Sequence, residues 1–396
     1  MKLVYIIGCG MGPGCMTSEA NAALSEAQVV IGSPRQTEQF ARPNQEVFTA
    51  YRKAEVDSIV ADSDKSIFAL LVSGDTGFYS AASSYGESTR YRIRFVAGIS
   101  SVSYFFAKCR LPWQDAKLLS SHGRSCGVVE AVRRNKLTFL LTGGNVSDIA
   151  AALGDCGFGE LKVYVGECLG APDETVDIMT VNELCRRSCS PLTVIIIENP
   201  HCDSRLRVGI PDSEFIRAEG IPMTKSAVRA AIMSALSPSP GDVCWDIGCG
   251  TGSVSAELAL AAYEGKVYSI DSSAEAAALT VSNCRALHIG NVSVAVGSAP
   301  DALESFPVPD KVFIGGSSGR ISKLIRCSLS KNPAVRIVAT AISPQRATAA
   351  IDAMQDAGLS PEITQISSAH GRQRNGMHLM LADNPVYIIS GGGVHG

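Results

Sequence analysis

At 396 residues the chain exceeds what one ordinary core holds and suits two domains of about 200 residues each. Hydrophobic residues make up 46%, charged residues 18%, and the net charge is −3. A disordered chain is thereby excluded, and no basic field offers itself to nucleic acid or to a membrane surface. The apolar runs LVYII, IFALLV and VIII fall short of the ~18 residues of a membrane-crossing helix. The apolar stretch before Gly8 is shorter than the roughly 7–15-residue core of a signal peptide. A cytoplasmic protein is expected.

From the N-terminus, short β-rich runs alternate with alanine-rich helical segments. KLVYIIG reads as a strand, MTSEANAALSEA as a helix opened by a Thr or Ser cap, and QVVIGS as a second strand. SIFALLVSG, RIRFVAG, KLTFLLTGG, KVYVGE and LTVIIIEN read as further strands. Continuous apolar strands between helices indicate sheets covered on both faces, hence an α/β fold. Arg90, Arg92 and Arg94 alternate along RYRIRF and share one strand face, a solvated edge. After Asn199 the periodicity breaks into a stretch rich in Pro, Gly and charge. Residues 206–222 are read there as a linker between a domain at 1–205 and another at 223–396. A second alternation follows: helix 224–236, strand 242–247, helix 252–263, strand 266–271, helix 274–288, strand 291–296. DKVFIGG, VRIVATAI and NPVYIISGG supply more strands. The halves share no repeated motif, so two different folds are expected in one chain.

The thirteen cysteines are odd in number and form no C-x-x-C pair. Buried free thiols in a reducing compartment are expected, with no metal site.

Two glycine-rich turns carry the chemistry. In VCWDIGCGTGSVSAELA, Gly248, Gly250 and Gly252 stand between a strand and a helix, with Cys249 and Thr251 between them. Such a turn lets backbone N–H groups approach a ligand at the helix start. The spacing is G-x-G-x-G, and Asp246 lies two residues before the first glycine. A carboxylate there suits the cationic amino acid portion of S-adenosylmethionine (SAM) better than a pyrophosphate. Asp271 closes the next strand, KVYSID, where a carboxylate hydrogen-bonds two ribose hydroxyls. In the N-terminal half, IIGCGMGPGCMT has glycines at 8, 10, 12 and 14. No Lys-Ser or Lys-Thr follows them, which excludes a P-loop, and no acid ends VVIGS, which disfavours a dinucleotide site. LLVSGDTGFYS then places Gly74, Asp75 and Gly77 directly after an apolar strand.

That segment, with AGISSVSYFFAKCRLPWQDAKLLSSHGR and LLTGGNVSDIAAAL, resembles the tetrapyrrole (class III) methylases, in the cobalamin-pathway branch that methylates precorrins. The resemblance implies two α/β subdomains with SAM between them, held largely by backbone at Gly74, Asp75, Thr76, Phe78, Ser100, Ser101, Thr142 and Gly143. The C-terminal half resembles the Rossmann-like SAM methyltransferases of the same step, through PMTKSAVRA, WDIGCGTGSVSAELA, VYSID, GSAPDAL and VFIGGSSG in that order. Thr224 matches a position that reaches the cofactor, and it also suits a helix N-cap. In SAM methyltransferases the loop after the third strand usually reads the adenine amino group with an acid. Here Ser298 and Ala299 stand there, and their backbone would serve that edge.

Fused in this order, the halves resemble the bifunctional, decarboxylating precorrin C(5,15)-methyltransferases. The resemblance implies methyl transfer to carbon 5 by the N-terminal domain and to carbon 15 by the C-terminal domain. It also implies decarboxylation of the carbon-12 acetate arm, on the path from precorrin-6B to precorrin-8X, and a homo-oligomer. Arg124, Lys225, Arg229, Arg372 and Arg374 are candidates to hold the substrate's carboxylates, and His122 reads as a polar loop residue. No catalytic acid, base or nucleophile is legible. Three alternatives stay open: one active domain of the two, an NAD-linked dehydrogenase, and a non-enzymatic tetrapyrrole carrier.

Overall fold

The computed structural model describes residues 1–86, 90–121, 127–205, 207–316, 319–374 and 377–393, with the backbone alone at 372 and 374. Contacts gather the chain into two compact units. The first comprises Met1–Cys126, Asn135–Ala150 and Leu161–Pro200; the second comprises Gly127–Arg134, Ala151–Glu160 and His201–Gly396.

The first unit holds two five-stranded sheets. One is built from β1 (Leu3–Gly8), β2 (Val29–Gly32), β3 (Glu46–Thr49), β4 (Ile67–Val72) and β5 (Arg92–Val96) in the order β3-β2-β4-β1-β5. Its pairings are all parallel. β1 and β4 are continuous apolar runs because helices cover both faces of the sheet. Alternate residues divide between the faces: Val4, Ile6 and Phe68 enter one core, Tyr5, Ile7 and Leu71 the other. Each such fully buried large side chain contributes roughly 1.5–3 kcal/mol. β5 is an edge, where Arg94 pairs with Glu19 at 2.8 Å, in agreement with the arginine alternation.

The second sheet contains β6 (Lys117–Ser120), β7 (Leu137–Leu141), β8 (Lys162–Glu167), β9 (Thr175–Thr180) and β10 (Thr193–Glu198), ordered β6-β7-β10-β8-β9. Only the β6–β7 pairing is parallel.

The second unit is built on β11 (Val243–Ile247), β12 (Lys266–Asp271), β13 (Val292–Val296), β14 (Lys311–Ile314), β15 (Arg336–Ala341), β16 (Glu362–Ile366) and β19 (Val386–Gly391). The order is β13-β12-β11-β14-β15-β19-β16, with β19 antiparallel to both neighbours. This is a Rossmann-like sheet. Its order reverses at β11, so the crevice outside the carboxyl ends of β11, β12 and β14 is where such a sheet takes a ligand. A separate hairpin pairs β17 (Ala369–Arg374) with β18 (Met377–Ala382). It leaves Met377, Leu379, Met380 and Leu381 exposed.

The stretch read as a linker folds into this unit. Gly209 and Ile210 donate backbone N–H groups to the Glu257 carboxylate, both at 3.0 Å. Ile210 and Phe215 are buried in the same cluster as Ile232 and Val254. These two buried apolar side chains anchor it.

Among the described residues no helix is long and apolar enough to cross a membrane. No group of three His, Cys, Asp or Glu side chains among the described residues is arranged to hold a metal ion. The twelve described cysteines are unbridged.

Candidate active sites

In the second unit a cavity of about 580 Å³ opens at the carboxyl edge of the sheet, within the usual range for one small-molecule ligand. Gly248 ends β11 at a φ of +78°. A Cβ there would stand 2.8 Å from the Gly316 backbone nitrogen, so the turn demands glycine both for its dihedral and for the approach of the loop after β14. The N–H groups of Gly248 and Cys249 donate to the Ile270 carbonyl at 2.8 and 3.2 Å. The helix Ser253–Ala261 starts without a side-chain cap, which leaves N–H groups facing the turn.

Asp271 sits opposite. One carboxylate oxygen accepts Gly250 N–H at 3.0 Å and the other accepts Ser273 N–H at 2.9 Å. Each oxygen keeps a second acceptor position, the arrangement a vicinal diol needs. Ser298 and Ala299 form the next wall, and Arg320 donates to the Ser298 hydroxyl at 2.7 Å and to the Ala299 carbonyl at 3.0 Å. Of the expected residues, Gly248, Cys249, Gly250 and Asp271 border the cavity, as do Ser298, Ala299, Thr224 and Lys225. The donors, acceptors and glycine cradle fit SAM.

Three expected residues stand elsewhere. Asp246 is fully buried and does not border the cavity. Strand alternation explains this correction: Cys244 and Asp246 face the helix Ser253–Ala261, while Trp245 and Ile247 face the other side. There the Asp246 carboxyl accepts the Ser255 hydroxyl at 2.5 Å, and Ser255 accepts Ser269 at 2.8 Å. Burial is the main cause that pushes its pKa up to about 7; the Ser255 bond opposes this and the Asp271 charge adds to it. It is no direct ligand for a cationic group in the cavity. Thr251 is buried, its carbonyl accepting Asn283 Nδ2 at 2.8 Å, and Gly252 packs on Thr280.

Arg229 is the second correction. Its guanidinium is 0% exposed, bonded to Glu257 at 2.7 Å and Asp212 at 2.9 Å, and also to the carbonyls of Ile210 and Thr224. Four of its five N–H donors are taken and the group has no exposed surface to offer a substrate, and removing one partner of such a buried pair costs about 3–5 kcal/mol. Arg229 instead fixes the segment that carries Thr224 to the cavity. Thr224 does not cap the helix Ser226–Leu236; Lys225 holds that position, without a side-chain bond. His122 and Arg124 lie outside the described residues. Arg372 and Arg374 belong to β17 by their backbone, and their side chains lie outside the described set.

The first unit has a larger cavity, about 1380 Å³, at the ends of β1, β4 and β7. Three loops meet beneath it. A Cβ on Gly98 would come within 2.2 Å of the Gly74 carbonyl oxygen and 2.5 Å of that of Gly8, so only glycine admits this contact. Asp75 ties the loops together by accepting Gly77 N–H at 2.8 Å and Gly98 N–H at 3.1 Å. Gly10 and Gly74 exchange backbone bonds at 3.0 and 3.1 Å. Gly74, Asp75, Thr76 and Phe78 border this cavity, with Ser101, Thr142 and Gly143. Ser100 does not, because its hydroxyl accepts Ser103 N–H and caps the helix Ser101–Cys109. Thr142 donates to the Thr193 carbonyl at 2.7 Å.

Sequence reasoning missed Arg35 and Phe95 here, and Arg320 and Arg346 in the second unit. Tyr79 adopts a φ of +46°, which a bulky residue rarely takes, and its ring stays exposed. A signal for the second pair was available: loops after parallel strands emerge at one sheet edge, and Arg320 and Arg346 follow β14 and β15.

The family description "Precorrin methyltransferase domain" matches residues 215–390, and "Tetrapyrrole (Corrin/Porphyrin) Methylases" matches residues 3–185. A protein of Pyrobaculum calidifontis, described as a probable cobalt-precorrin-6B C(15)-methyltransferase (decarboxylating), is 41% identical over 184 residues, 46% of this chain and 94% of that protein. One of Methanothermobacter thermautotrophicus with the same description is 37% identical over 189 residues, 47% of this chain and 97% of its own length. Among solved structures, a precorrin-6Y C5,15-methyltransferase from Geobacter metallireducens is 30% identical. It covers 47% of this chain and 97% of its own, with a TM-score of 0.45. By its matches to both family descriptions and its identity to these curated relatives, the chain belongs to the precorrin methyltransferases, with a tetrapyrrole methylase ahead of the precorrin methyltransferase domain.

Proposed function

We propose that each cavity takes SAM and that the chain methylates a precorrin twice in cobalamin biosynthesis. On this reading the second unit methylates carbon 15 and decarboxylates the carbon-12 acetate arm to a methyl group, and the first unit methylates carbon 5. The curated relatives, described as decarboxylating C(15)-methyltransferases, support the second-unit step. The tetrapyrrole methylase match supports the first. The single observation that carries the cofactor assignment is the Asp271 carboxylate, braced by Gly250 and Ser273 beside the glycine turn.

When bound, SAM supplies an electrophilic methyl group on a sulfonium. The protein's own part is alignment and exclusion of water. Asp271 holds the ribose diol, the Ser298–Ala299 backbone takes the adenine edge, and the Gly248–Gly250 turn admits the amino acid portion. For decarboxylation, the bonding pair of the departing carboxylate stays with the conjugated macrocycle, which takes a proton in its place. No protein nucleophile is required. The protein works in the cytoplasm, a reading that its unbridged cysteines support. It also self-associates, through the hairpin β17–β18, which exposes Met377, Leu379, Met380 and Leu381.

Calorimetric titration of the intact chain with S-adenosylhomocysteine tests the cofactor assignment. Two sites per chain are expected, and Asp271→Ala should weaken one of them by roughly 100-fold, as loss of two charge-assisted hydrogen bonds implies. A single site on the unaltered chain would reduce the reading to one methyl transfer.

A further inference from the structure

A precorrin carries several acetate and propionate carboxylates, and a cavity that admits it must offer cations not already engaged. Five charged side chains among the described residues border the second-unit cavity: Lys225, Asp271, Arg320, Arg346 and Asp383. Asp271 is engaged by two backbone N–H groups. Asp383 accepts the Ser368 hydroxyl at 2.8 Å and pairs with His370 at 2.9 Å. Lys225 lies 3.8 Å from the Asp212 carboxylate. Arg320 reaches across to the Ser298–Ala299 loop, on the side assigned to adenine. Arg346 differs from all of these. Its side chain is exposed and makes no hydrogen bond or ion pair among the described residues.

The sheet order gives its position a meaning. The carboxyl end of β12 and the loop after β13, on one side of β11, carry Asp271 and Ser298, the residues assigned to the nucleoside. The loop after β15 lies on the other side of β11, beyond β14. It carries Ile342, which is 70% exposed, and then Arg346 in the first turn of the helix Pro344–Gln355. An apolar side chain next to an unpaired guanidinium matches a macrocycle edge bearing a carboxylate arm. The glycine turn stands between the two sides, where a methyl group must pass from one ligand to the other.

We propose that Arg346 receives a carboxylate arm of the precorrin and so positions the macrocycle against the methyl donor. The proposal rests on the function given above. A guanidinium can bind a carboxylate through two parallel hydrogen bonds, which fixes orientation as well as affinity. Arg346 thereby takes the role that sequence reasoning gave to Arg229.

The test uses the intact chain and reads carbon dioxide release, which reports the second unit alone. Arg346→Gln should raise KM for the precorrin by about tenfold and lower kcat as orientation is lost, and it should leave the affinity for S-adenosylhomocysteine unchanged. Arg346→Lys should fall between, because the charge remains and the paired donors do not. An unchanged precorrin KM in Arg346→Gln overturns the proposal. An equal weakening of S-adenosylhomocysteine also overturns it, by assigning Arg346 to the cofactor. Absence of carbon dioxide release by the unaltered chain overturns the underlying function and the proposal with it.

Discussion

Asp246 lies fully buried beneath the glycine turn, and Ser255 is its one hydrogen-bond partner among the described residues. Its pKa of about 7 stands above that of an unfolded aspartate, near 4. Between about pH 4 and pH 7 the folded chain therefore binds more protons than the unfolded one, and this residue's contribution to stability falls as pH rises through that window. Other carboxylates titrate there as well, so the difference between two proteins isolates the effect. Melting temperatures of the parent and of Asp246→Asn, followed from pH 4.5 to 7.5, should diverge in favour of the variant as pH rises. A difference that stays flat would show that Asp246 is ionised throughout. Arg229 presents the opposite electrostatic case, a buried charge matched by Glu257 and Asp212. The two residues look alike in sequence, as polar side chains beside a motif, yet neither faces the ligand.

At the scale of elements, legibility followed burial. β1, β4, β7 and β10 are read from sequence because burial on both faces leaves them almost continuously apolar. β6 has only four residues, and β9, TVDIMT, alternates along a sheet edge, so neither announces itself. The β17–β18 hairpin escapes notice for a different reason. AHGRQR and MHLMLA mix charge and apolar residues without a buried face to order them. The glycine turns were legible because a backbone demand restricts the residue to one type. The facing of Asp246 was latent in strand parity, counted from Trp245 and Ile247. The availability of Arg346 was not legible at all, since it depends on which other side chains have taken the nearby anions. The hairpin yields its own prediction. Met380 is 66% exposed, so Met380→Lys should leave the fold and melting temperature nearly unchanged. Light scattering coupled to size exclusion should then report a smaller particle than the parent's. An unchanged mass would place self-association on another surface.

The whole molecule repeats one device in two unrelated folds. Asp75 in the first unit and Asp271 in the second each accept two backbone N–H groups at the rim of a cavity. Each carboxylate thus braces its own loops, so ligand binding has little ordering left to do. On the proposed function, walls this settled grip the nucleoside and amino acid portions, which fresh and spent cofactor share. The demethylated product then leaves slowly and competes with the next molecule of donor. Progress curves should bend early and straighten when a hydrolase that destroys S-adenosylhomocysteine is added; curves indifferent to the hydrolase would contradict this. Throughput at both cavities would then answer to the ratio of spent to fresh methyl donor, which makes the enzyme responsive to the methylation status of its cell through two carboxylates alone.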